Sequence, residues 1–177
     1  MRRVNGILTV IILILFIIHG VLGAFQLIGA GSVISRALSY ALLTVMLIHT
    51  MIGIKLTADT FKVSRSTGVS YTRLNLLFHA RRISGFAILF LMFFHVRAFS
   101  YERGSTVRLH YFGSLQLLIQ LMLIASIAVH VLMNIKPLMI TLGIRSLKDR
   151  AGDIWFILSV LLLFMAAAMY IYYRRWL

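Results

Sequence analysis

Four histidines, His19, His49, His95 and His130, each lie inside a long apolar run. An ionisable side chain at such depth in a bilayer is costly, faces the protein interior and marks a functional site. Two of them share a local pattern. His49-Thr-Met-Ile-Gly-Ile-Lys55 and His130-Val-Leu-Met-Asn-Ile-Lys136 both place a lysine six residues after the histidine, where the apolar run ends. Neutral imidazole binds transition metals and carries protons, so the chemistry open to the four is metal ligation, proton transfer or hydrogen bonding between helices.

The elements that must position them follow from composition. Of 177 residues, 61% are hydrophobic, and only four acids (Asp59, Glu102, Asp149, Asp153) stand against 18 Lys and Arg, a formal charge of +14. This is the composition of an integral membrane protein. The basic residues fall in the gaps between apolar runs, so anionic head groups or an acidic partner are their natural counter-charges rather than nucleic acid. With no cysteine, disulfides, thiolate iron–sulfur clusters and thiolate zinc sites are excluded. The apolar run after Arg2 and Arg3 reaches Ile28, too long for a signal-peptide core, and reads as an uncleaved first span.

A spanning helix needs about 20 mostly apolar residues. The uncharged stretches predict five: about 4–29, 34–56, 77–99, 112–136 and 153–173, the third completed by Arg81, Arg82 and Arg97 reaching toward the interfaces. Twelve Lys and Arg lie on the side of the N-terminus and six on the other, which puts the N-terminus in the cytoplasm. The segment from Thr57 to Arg73 reads as a polar cationic loop and docking surface, and Pro137 is expected to close the fourth helix. The expected fold is an all-α integral membrane protein forming one transmembrane domain over 1–177. Its first four helices would make an up-down-up-down bundle.

Depth sorts the histidines. At about 1.5 Å of rise per residue, His49 and His130 lie roughly 9 Å from the cytoplasmic end, while His19 and His95 lie on the order of 20 to 24 Å from it. In such a bundle helices one and three are diagonal, as are two and four. Each diagonal pair offers two imidazoles at matched depth, and a haem fits between them with one ring on each side of the iron. Two haem b groups would be stacked on the order of 10 to 15 Å apart along the membrane normal. Gly20, Gly23, Gly53, Ser126 and Ala128 leave room near the ligands. Arg97 at the outer level, and Lys55, Lys136 and Arg82 at the inner one, are candidates to pair with propionates. Two other readings stand beside this one: imidazoles that only hydrogen-bond between helices, and a proton relay, which the near absence of intramembrane carboxylates disfavours. One four-histidine metal site is disfavoured by the separation of the levels. His79 and His110 read as interfacial, and the Phe90 to Phe94 cluster and the methionines as lipid-facing or packing residues.

The five-helix, four-histidine pattern resembles the dihaem cytochrome b anchors of succinate:quinone oxidoreductases, the succinate dehydrogenases and fumarate reductases. The most local match is Arg82-Ile-Ser-Gly-Phe-Ala-Ile-Leu-Phe-Leu-Met-Phe-Phe-His95, similar to the family's Ser/Thr-Gly turn followed ten residues later by a ligand histidine. The resemblance implies that His19 and His95 hold the haem distal to the catalytic subunits and that His49 and His130 hold the proximal one. It further implies a membrane quinone as substrate, and flavoprotein and iron–sulfur partners on the cytoplasmic side of the inner membrane. Gln26, Glu102 and Gln116 are quinone candidates at the outer level. Arg82 with Ser84 at the inner level resembles the Arg-x-Ser-Gly quinone contact of single-haem anchors. Ala128 stands two residues before His130, where some members carry a carboxylate proton path. A cytochrome b anchor of another dehydrogenase, hydrogenase or reductase, and a haem-free anchor or transporter, are the alternative functions.

Overall fold

The computed structural model describes residues 1–29, 36–68, 76–99, 102–103, 106–107, 112–143, 151–175 and 177. Five helices carry the fold: α1 (Arg2–Ile28), α2 (Arg36–Thr67), α3 (Leu76–Phe99), α4 (Ser114–Leu142) and α5 (Ala151–Arg174). All five are long and apolar enough to cross a membrane, so the chain is a multi-pass membrane protein. The other regular structure described is a two-residue antiparallel ladder, β1 (Glu102–Arg103) with β2 (Thr106–Val107). His110 lies outside the described residues.

Two helices outrun their expected ends. α2 continues past Lys55 to Thr67, through sequence whose Ser/Thr content reads as loop. The hydroxyls there are turned back on their own helix: Thr57 donates to the Gly53 carbonyl at 2.7 Å, Thr60 to Leu56 at 2.8 Å and Thr67 to Val63 at 2.9 Å. Pro137 does not close α4, which runs five residues further. The proline withholds one N–H, but polar side chains brace the turns around it: Asn134 Nδ2 donates to the His130 carbonyl at 2.5 Å and Thr141 Oγ1 to the Pro137 carbonyl at 2.8 Å.

Side-chain contacts give the helix directions. Thr9 meets His49 while His19 meets Ser39, so α1 and α2 are antiparallel. Ser84 meets His130 while His95 meets Gln120, so α3 and α4 are antiparallel too. α5 packs along both α1 and α4. Its Leu158 joins Ile135 and Met139 in one cluster, and its Tyr172 joins Leu27 and Phe112 in another. Outward stripes of Ile, Leu and Phe remain exposed, among them Ile7, Ile11, Ile14, Ile18 and Leu22 on α1 and Phe90 and Phe93 on α3. That is the apolar band a lipid-facing surface requires.

The end of α1 is capped twice. Gly29 adopts φ 82°, a left-handed turn that glycine enters without a Cβ penalty, and its N–H bonds the Gln26 and Phe25 carbonyls. The Arg175 guanidinium donates to the Leu27 carbonyl at 3.1 Å and to that of Ile28. Replacing Arg175 with methionine is expected to lower stability by about 1 kcal/mol, the worth of a partly exposed charged hydrogen bond. An earlier midpoint when the detergent-solubilised protein is unfolded with SDS would report it.

Candidate functional site

The four histidines meet in two pairs. The rings of His19 and His95 have centroids 6.1 Å apart, and those of His49 and His130 6.5 Å apart, with interplanar angles of 65° and 89°. Ordinary edge-to-face ring contacts fall in the same distance range. A linear imidazole–metal–imidazole axis, with metal–nitrogen bonds of about 2.0 Å and ring centres about 1.1 Å behind each nitrogen, also sets centroids about 6.2 Å apart. The hydrogen bonds to the rings bear on which description fits.

Every ring has its Nδ1 engaged by a neighbouring helix. His95 Nδ1 lies 2.8 Å from Gln120 Oε1, and His130 Nδ1 lies 3.1 Å from the Arg81 carbonyl and 3.3 Å from Ser84 Oγ. His49 Nδ1 is 3.5 Å from Thr9 Oγ1, and His19 Nδ1 is 3.5 Å from Ser39 Oγ. A carbonyl oxygen only accepts, so His130 carries its proton on Nδ1, and His95 does so with Gln120 Oε1 turned toward it. Thr9 already donates its own hydroxyl proton to the Asn5 carbonyl at 2.8 Å, so it too accepts from His49. In these three rings the neutral tautomer puts the lone pair on Nε2, the nitrogen that could take a ligand, and the His49 ring also hydrogen-bonds the Asn5 backbone. Metal-binding histidines are oriented in this way, with the second nitrogen tied to a hydrogen-bond acceptor.

Local sequence explains the seating of His130. Gly85 lets the ring lie against α3: a Cβ built there would sit 3.2 Å from His130 Cε1 and 3.4 Å from Nδ1. Ser84, 6% exposed, donates to the Arg81 carbonyl at 3.2 Å beside it. At the outer level Gln120 is 1% exposed, and His95 also touches Phe99 at a centroid distance of 5.2 Å. Phe99 leads on to Phe112 and Tyr172, which close that end against α5.

Among the described residues the Nε atoms of Arg81 and Arg82, the Nε2 of Gln120 and the Oδ1 of Asn5 are buried without a hydrogen-bond partner, each costing about 1–3 kcal/mol or more if left so. The two arginines flank the inner pair. Arg82 Cζ also sits 4.9 Å from the Phe78 ring centroid. Along α2 and α3, Leu43, Met46, Leu89, Met92, Phe93, Val96 and Arg97 line a groove of about 580 Å³. Arg97 is its cation, and His95 is not among its lining residues. The residues brought together would suit a bis-histidine haem: paired imidazoles with Nδ1 held, and cations at both levels with unpaired donors at the inner one. Among the described residues no group of three or more His, Asp or Glu is gathered that could hold a metal ion by itself.

The other expected site residues are spread. Lys55 and Lys136 are exposed on their helices. Gln116 Oε1 accepts from the Gly113 N–H at 3.1 Å and so caps α4. Gln26 is half-buried near the end of α1, and the Glu102 side chain lies outside the described residues. Gly53 faces open space and Gly20 packs on Met165 of α5.

Sequence reasoning missed Thr9, Ser39, Arg81 and Gln120, and it read Ser84 only as a quinone contact. A signal for four of these five was present. Thr9, Ser39 and Gln120 each precede a histidine of the same helix by ten residues, and Ser84 precedes His95 by eleven. Ten residues are about 15 Å of helix, which is the spacing of the two levels. No family model, no curated protein and no solved structure matches this chain.

Proposed function

We propose that this protein is the membrane electron-transfer subunit of an oxidoreductase of the succinate dehydrogenase or fumarate reductase type. The observation that carries the reading is the double pair of imidazoles with Nδ1 engaged in all four rings. In this reading α1 to α4 form an up-down-up-down bundle. His19 and His95 hold an outer haem b, and His49 and His130 hold an inner one. Bound haem supplies one-electron exchange between its ferric and ferrous states.

The remaining residues position and neutralise. Arg81, Arg82, Lys55 and Lys136 supply positive charge for inner propionates, and Arg97 does so at the outer level. Thr9, Ser39, Ser84, Gln120 and the Arg81 carbonyl fix the imidazole tautomers. Gln26 and Glu102 remain the quinone-binding candidates at the outer level, whereas Gln116 caps its helix and Ser84 seats His130. A quinone head group needs hydrogen bonds to its carbonyls and a proton route, which a carboxylate such as Glu102 would begin. With the N-terminus in the cytoplasm of a cell whose inner membrane holds the chain, the inner pair faces the flavin and iron–sulfur partners. The dicarboxylate substrate belongs to those partners and enters only through the family resemblance.

A pyridine haemochrome spectrum of the purified protein is the direct test. About two haems per chain are expected. Haem-free protein from haem-replete cells would sink the reading in favour of a membrane anchor or transporter without haem.

A further inference from the structure

The supports of the four imidazoles are not equivalent. Four are hydroxyls or a backbone carbonyl at 3.1 to 3.5 Å, whereas Gln120 offers a side-chain amide at 2.8 Å to His95. Gln120 is also among the most buried side chains described, 1% exposed, and its Nε2 has no partner among the described residues. An amide has two settings about its last torsion. With Oε1 toward the ring, the proton sits on His95 Nδ1 and Nε2 keeps a lone pair for a metal. With the NH2 toward the ring, the proton moves to Nε2 and the ring cannot ligate. Gln120 lies in an apolar run against the His95 ring, which itself packs on Phe99, so its partner on that ring decides between the two settings.

We infer that Gln120 is the positioning residue of the outer site, holding His95 in its ligating tautomer and setting the outer haem potential through its amide oxygen. The inference rests on the haem reading above. An acceptor on Nδ1 makes the imidazole a stronger electron donor and favours the more positive ferric state. Removing that acceptor favours the ferrous state.

The test uses the full chain purified with its haem, in the unaltered form and as Q120L and Q120E. Haem content of the unaltered chain is measured first, then the midpoint potential of each spectral component by redox titration and the ferric spectrum by electron paramagnetic resonance. In Q120L the component that disappears in H95A is expected to favour the ferrous form by about tenfold more, a rise of about 59 mV for one electron, with altered ferric g-values. Loss of that component alone in Q120L supports the same role. Q120E, whose oxygens accept in either protonation state, is expected to hold the potential at or below that of the unaltered chain. Unmoved potentials in both variants, an effect confined to the His49 and His130 component, or a Q120E that behaves like Q120L would overturn the inference while leaving the haem reading intact. An unaltered chain without haem would overturn both.

Discussion

Replacing His49 with alanine is expected to remove the same haem component as replacing His130, and replacing His19 the same one as replacing His95, each pair holding one haem in the proposed reading. Each single change is expected to lower haem content by about half, because a b-type haem held by one imidazole on each face loses its place when either ring is lost. The expectation follows from the contacts: His19 meets His95 and His49 meets His130, with centroids 6.1 and 6.5 Å apart. Replacing His79 is expected to leave both components in place. Haemochrome content and low-temperature optical spectra of the five variants report the outcome. A shared loss in H19A and H49A would refute the pairing, since those two residues occupy different levels on adjacent helices.

Enlarging Gly85 should be nearly as damaging as losing a ligand. A Cβ at this position meets His130 at 3.2 Å, which a shift of a few tenths of an ångström can absorb, so G85A is expected to keep the inner component with a displaced spectrum. A leucine adds three more carbons beyond that Cβ beside the ring, and G85L is expected to lose the inner component while the outer one remains. Loss of helix stability cannot account for that result. Glycine is about 0.8–1.0 kcal/mol worse than alanine within a helix and leucine is close to alanine, so both changes favour α3 itself. Retention of both components in G85L would show that His130 does not depend on this seat.

Much of this architecture is legible in the sequence. The apolar runs give the five helices, and counting residues from the charged ends places His19 with His95 and His49 with His130. Helix rise alone carries that arithmetic, and the ring contacts agree with it. What rises past the runs is harder to read. The end of α2 has the polar composition of a loop, but its threonines satisfy themselves on the carbonyls one turn back. Pro137 stops a helix in water more readily than here, where Asn134 and Thr141 brace the adjoining turns. Thr9, Ser39 and Gln120 escape notice because a support is defined by which atom it meets on another helix, and register between helices is not written in any one run. Glu102 and His110 fall where the structure describes no side chain.

The ten-residue interval between support and histidine has a consequence for assembly. In the α1–α2 hairpin, Thr9 steadies His49 and Ser39 steadies His19; in the α3–α4 hairpin, Ser84 steadies His130 and Gln120 steadies His95. Each hairpin therefore prepares one ligand for each of two sites and can finish neither alone. On one flank the hairpins meet where α1 packs on α4 and α5 packs on both, but on the other a groove separates α2 from α3 over part of their length. Iron bound across the pairs would be the fastener on that open flank. On the haem reading, cofactor capture and hairpin docking would be linked equilibria, in which haem binding favours the closed form by mass action and a cell short of haem would accumulate hairpins joined only along α1, α4 and α5.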